Sequence, residues 1–98
     1  MAAKRNINWS KRAINDLDII YNYLLEEWTI KEANEFLDLV DEFVHLIKIY
    51  PEAFAVSFKN KNCRLGLIHK NITAVYMIRG NYIDIITLFD NRSNSQFR

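Results

Sequence analysis

The sequence predicts an α+β fold in the order β-α-α-β-β-β, a helical hairpin packed on an antiparallel sheet. Three observations carry this prediction: two helix-period apolar stripes with their own start signals, three β-rich runs near the C-terminus separated by short polar turns, and a brief alternating run ahead of the helices. Residues 5–9, Arg5-Asn6-Ile7-Asn8-Trp9, alternate polar and apolar side chains as a half-buried strand does. Ser10 stands where an N-cap is wanted, because its hydroxyl can accept a bond from an amide of the opening helical turn. Ala13, Ile14, Leu17, Ile20, Tyr21, Leu24 and Trp28 then follow at three- and four-residue steps and mark the first helix.

Thr29-Ile30-Lys31-Glu32 reads as a capping box that ends this helix and starts the next. The second stripe is Ala33, Phe36, Leu37, Val40, Phe43, Val44 and Ile47, and Pro51 stops it by disfavouring helical geometry in the residue before it. So short a connection between amphipathic helices makes them antiparallel neighbours. Residues 52–62 have no steady period and read as a loop with Phe54 and Phe58 tucked inward. Strands are expected at 63–68, 72–78 and 82–89, with Gly80-Asn81 supplying the hairpin turn between the last two.

The 98 residues, 50% hydrophobic and 13% aromatic, suffice for the core of one domain, expected over 1–98, and leave no room for a second. The apolar runs are too short and too charged for a membrane span, and the N-terminus lacks an apolar signal region. Cys63 is the single cysteine, which excludes an internal disulfide and a multi-thiolate zinc site and fits a reducing cytoplasm. No cofactor is expected. The net charge of +1 conceals a segregation: residues 1–15 carry +4, residues 16–58 carry −8 and residues 59–98 carry +5. Such a chain can offer a basic face to phosphate while its acidic helices face solvent.

In the last strand Ile83, Ile85, Thr87 and Phe89 alternate with Tyr82, Asp84, Ile86 and Leu88, so both sheet faces carry apolar side chains and the second needs cover besides water. In the strand at 63–68, Leu65 and Leu67 point one way and Arg64, Gly66 and Ile68 the other. Arg64 is the first candidate for chemistry, since a guanidinium in an apolar strand can grip phosphate or carboxylate; an edge arginine paired with an acid of its own chain or with solvent is the competing reading. Arg92, in Asp90-Asn91-Arg92, leaves the last strand where a rigid sheet positions it, or simply closes a turn. Lys59 and Lys61 in the loop and Arg79 at the hairpin turn are further candidates for phosphate or target contacts, each weighed against plain solvated charge. His45 with Asp41, four residues apart, does not make a metal site, and no metal is expected. His69 reads as a surface turn residue. Neither a Ser-His-Asp set, a P-loop nor a glycine-rich nucleotide fingerprint is present.

Trp9-Ser10, Ala13, Asp16-Leu17, Ile20 and Tyr23-Leu24, then Pro51 after a second helix, Arg64-Leu65, Tyr76 and the closing Leu88-Phe89-Asp90-Asn91-Arg92 have a familiar order. From Ile7 to Arg92 the chain resembles the RelE/ParE superfamily of bacterial type II toxin–antitoxin toxins. The resemblance implies a growth-arresting, plasmid-stabilising toxin held inactive by a cognate antitoxin, and the second sheet face, with Ile68, Tyr82, Ile86 and Leu88, suits that partner. Its members are either poisons of DNA gyrase or ribosome-dependent mRNA endonucleases. In the nuclease branch Arg64 and Arg92, expected together at the working end of the sheet, would stabilise the phosphate attacked by a ribose 2′-hydroxyl. The position of that branch's C-terminal tyrosine is Phe97, which has no phenol, and +1 is a low charge for a protein that binds RNA through its phosphates. The sequence therefore leans to binding a protein target such as gyrase, with the endonuclease as the alternative and a non-toxic binding module as a third reading.

Overall fold

The computed structural model describes residues 5–92. Its elements run β1 (Asn6–Trp9), α1 (Lys11–Glu27), α2 (Ile30–Ile49), β2 (Arg64–His69), β3 (Ile72–Arg79) and β4 (Tyr82–Asp90). The two helices form the expected hairpin and pack on one face of a four-stranded sheet of order β1-β4-β3-β2. β2, β3 and β4 form the antiparallel meander, while β1 joins β4 in parallel, Asn6 level with Tyr82 and Trp9 with Ile85.

Local chemistry starts each helix where the sequence places it. Ser10 is extended, and its Oγ accepts from the Ala13 amide at 2.9 Å and donates to the Ile86 carbonyl at 2.6 Å. One hydroxyl thus opens α1 and ties it to β4. Thr29 Oγ1 accepts from the Glu32 amide at 3.1 Å to open α2. The hairpin turn at Gly80-Asn81 rests on Gly80 at φ 57°, a left-handed conformation that glycine adopts without a side-chain clash.

The α2 stripe goes inward as expected, with Ala33, Phe36, Val40, Phe43 and Ile47 buried. On α1 only Ala13 is fully buried, and Leu17, Ile20 and Leu24 pack beside it. Two members of the expected α1 stripe, Ile14 and Trp28, are instead exposed, because Ile14 faces away from the sheet and Trp28 lies past the last helical turn.

A β-bulge in β4 sets the side-chain directions. Tyr76 pairs with Ile85 and Val75 with Thr87, so Ile86 is the extra residue and the alternation changes phase there. Ile83, Ile85 and Leu88 consequently share the helix-facing core, and Ile86 and Phe89 join a smaller cluster around Val75 and Cys63 on the other face. Leu88, expected on the second face, is therefore a core residue. Beyond Trp9, where β1 has given way to α1, Asp16 takes over the open side of β4: its Oδ2 accepts from the Leu88 amide at 3.2 Å and from the Thr87 hydroxyl.

Ile68 is also corrected to the core, since the face of β2 that carries Gly66 and Ile68 is the one turned to the helices. A Cβ on Gly66 would lie 2.3 Å from Cε1 of Phe43, so glycine is what lets the ring approach the strand. What comes close beside Arg64 is thus an aromatic side chain.

Candidate functional site

Arg64 opens β2 level with Tyr76. Its Nη1 donates to the Phe54 carbonyl at 2.7 Å, and Val56 bridges to it from the preceding loop. Phe43, Phe54 and Tyr76 pack beside it with ring centroids 5.4 to 6.4 Å apart. The buried Tyr76 hydroxyl donates to the Pro51 carbonyl at 2.6 Å. Burial raises the Tyr76 pKa, with the Arg64 guanidinium pulling it partly back, so at neutral pH the phenol keeps its proton and is a poor base. Arg64 is half-buried and fastens the loop to the strand through a backbone carbonyl rather than an acid.

Arg79 is exposed at the hairpin end and paired, Nε to Asp84 Oδ2 at 2.6 Å. Asp84 Oδ1 also accepts from Asn8 Nδ2 at 3.0 Å, which links this turn to β1. Arg92 is likewise exposed and engaged: Nη2 lies 2.6 Å from Asp90 Oδ2 and Nε 3.0 Å from Oδ1, while its amide donates to Oδ1 at 2.8 Å. The side-chain hydrogen bond and charge of Asp90 hold the Arg92 pKa above its usual value. Asn91 completes this exit, donating from its amide to the Asn71 carbonyl at 2.6 Å and accepting from the Thr73 hydroxyl.

Arg64 and Arg92 are not brought together. Arg64 is level with Tyr76, whereas Arg92 lies beyond the Ile72–Asp90 pair, four rungs away and roughly 13 Å along the strand before its own two-residue overhang. The expectation of both arginines at one working end is overturned by the register of β3. Phe97 lies outside the described residues.

Lys59 and Lys61 are exposed on the loop, and neither has an ion-pair partner among the described residues. Next to Lys59 in the chain, Phe58, expected inside, is instead 97% exposed. The hint was local, since Ser57, Asn60 and Asn62 are turn formers that can hold a loop out from the core. Tyr82 is half-exposed and Ile86 packs on the second-face cluster with Leu65, Met77 and Phe89. Cys63 is buried there as a free thiol whose pKa burial raises, which keeps it unreactive.

A groove of about 740 Å³ opens between the closed end of the helical hairpin and the exit of β4, with Ile19, Tyr23 and Trp28 on the helical wall and His69, Lys70 and Arg92 on the other. His69 Nδ1 accepts from the Asn71 amide at 3.4 Å, and His45 Nδ1 lies 3.0 Å from the Asp41 carbonyl. No group of three or more His, Cys, Asp or Glu that could hold a metal occurs among the described residues, and no helix there is long and apolar enough to cross a membrane.

A helical hairpin on a mixed sheet in this strand order is the architecture expected of the RelE/ParE type. The solved structures bear out the fold. A chain of the chromosomal ParDE toxin–antitoxin system from P. aeruginosa superposes with a TM-score of 0.76 at 16% identity, covering 91% of this chain and 98% of that one. The YoeB dimer from Staphylococcus aureus gives 0.63 at 17% identity, with 89% and 97% covered. The E. coli DinJ-YafQ toxin–antitoxin complex gives 0.63 at 8% identity, with 89% and 92% covered. No curated protein sequence matches the chain. The profile of the family described as the ParE toxin of the type II toxin–antitoxin system, parDE, matches residues 7–94, and the chain belongs to that family.

Proposed function

We propose that this toxin arrests bacterial growth by binding a protein target, DNA gyrase being the target that the family resemblance supplies, and not by cutting RNA. The observation that carries this reading is the separation of Arg64 from Arg92, each already engaged by its own chain. RNA cleavage by an internal hydroxyl needs cationic groups and a proton acceptor converging on one phosphate. Here the phenol nearest Arg64 is buried and protonated. A poison that acts by binding needs exposed surface instead, and the groove beside the helical hairpin offers it.

The reading implies action in the cytoplasm under the control of a cognate antitoxin. Tyr82 and Ile86 on β4, and the exposed Leu67 on β2, supply apolar surface on the second face for that partner. Induction in a bacterial host followed by detergent lysis tests the target. Chromosomal breaks with gyrase covalently attached are expected; an intact chromosome together with codon-phased mRNA ends that vanish in Arg64→Ala would establish the endonuclease instead.

A further inference from the structure

The loop at 57–63 is a small, rigid projection. Its two feet are buried, Ser57 and Cys63 being 2% and 1% exposed, and the Ser57 amide donates to the Cys63 carbonyl at 2.7 Å across the base. Above them the Cys63 amide donates to the Asn60 carbonyl at 3.0 Å, the Asn60 amide to Ser57 Oγ at 3.2 Å and the Asn62 amide to Asn60 Oδ1 at 3.1 Å. All five residues of the tip, 58–62, are exposed. Phe58 sits on this tip with its whole phenyl ring in water, at a cost that burial would remove.

The charge around the ring is one-sided. From Ala53 to Ile83 the sequence contains no acidic residue and five basic ones, Lys59, Lys61, Arg64, Lys70 and Arg79. The fold engages Arg64 and Arg79, whereas Lys59 and Lys61 stand unpaired beside Phe58 among the described residues. An exposed aromatic face flanked by free lysines is the pairing that single-stranded nucleic acid selects, the ring stacking on a base and the ammonium groups neutralising neighbouring phosphates. Protein interfaces favour the aromatic ring but are depleted in lysine, which argues against a protein surface as the occupant.

We infer that the 57–63 loop is a nucleic-acid contact in which Phe58 stacks on an unpaired base and Lys59 and Lys61 bind the adjacent phosphates. The inference goes beyond the gyrase reading and does not depend on it, since it is tested with toxin and oligonucleotide alone.

The experiment titrates the full-length, isotope-labelled toxin with a mixed-sequence 12-nucleotide single-stranded DNA, the RNA of the same sequence, the corresponding DNA duplex and a polyglutamate peptide of equal charge, following assigned amide resonances. Shifts centred on residues 58–62 with either single strand, exceeding those with the duplex, are expected, and the stronger of the two identifies DNA or RNA as the source. Phe58→Ala should weaken this binding at least about fivefold while Phe58→Tyr preserves it. Lys59→Ser with Lys61→Ser should lower the slope of log affinity against log salt by about 1.4. Because these side chains are exposed, unchanged circular dichroism is expected for every variant. Absence of shifts at 58–62, equal shifts with polyglutamate, or full binding by Phe58→Ala each overturns the inference.

Discussion

Lys61 and Arg64 are three residues apart and carry the same charge, yet the fold treats them oppositely. Arg64 is taken into the structure: it clamps the Phe54 carbonyl beside three packed rings, and its position is fixed by what the domain needs to close over β2. Lys61 stands on a tip whose backbone is satisfied from within, so its ammonium group contributes nothing to the fold. A cation that the fold uses is a poor candidate for ligand binding, because recruiting it would leave a part-buried carbonyl without its donor. A cation that the fold leaves unused is available at no such cost.

This contrast predicts large stability effects at the Arg64 corner and functional effects at the tip. The largest is Phe43→Ala, which empties the centre of the aromatic cluster and should destabilise the domain by about 3–5 kcal/mol in urea unfolding. Gly66→Ala forces a methyl group against the Phe43 ring and should cost about 1–3 kcal/mol; joined to Phe43→Leu, the pair should cost less than the sum of the two single changes. Tyr76→Phe leaves the Pro51 carbonyl unpaired, at a cost of about 1–3 kcal/mol. The raised Tyr76 pKa adds a pH signature. The folded state holds the phenolic proton more tightly than the unfolded chain, so this contribution is complete below the unfolded value of about 10 and is lost as pH rises from there through the folded pKa. Tyr76→Phe should remove that part of the alkaline loss, measured as the urea midpoint from pH 8 to 11.

At the tip, Lys59→Ser with Lys61→Ser should change stability by no more than about 0.5 kcal/mol while weakening growth arrest on induction. Arg92→Ala is the smallest change expected, with both the urea midpoint and growth arrest retained, since Arg92 is exposed and its ion pair is with the neighbouring Asp90. Loss of arrest in a folded Arg92→Ala protein would restore the endonuclease reading.

The features legible in the sequence are those decided by neighbours in the chain. Ser10 and Thr29 cap their helices, Gly80 turns the hairpin, and the α2 stripe is buried, because capping, turn geometry and helical period are local. Leu88 was assigned the wrong face because an unbroken period of two runs through Ile86, and the bulge there is held by Ser10 and Asp16, more than seventy residues upstream. Ile68 failed for a related reason: which face of β2 is inner depends on where Phe43 finds room, and Gly66 provides it. Phe58 shows hydrophobicity overruled by turn chemistry. The candidate site was legible as a set of cations but not as an arrangement, since the distance between Arg64 and Arg92 exists only in the register of β3 with its two neighbours.

The parallel pairing of β1 with β4 also bears on how the toxin is made. Of the four strands the first to leave the ribosome is an edge strand, and its one neighbour in the sheet, β4, is the last to emerge. The helical hairpin can form early, but Ile7 and Trp9 have nothing to align against until residues 82–85 exist, and the centre of the sheet is finished with the final strand. At about 5–20 residues per second the chain spends several seconds without a complete sheet. Translation interrupted before β4 therefore leaves β1 without its sheet neighbour and β3 with only β2 beside it.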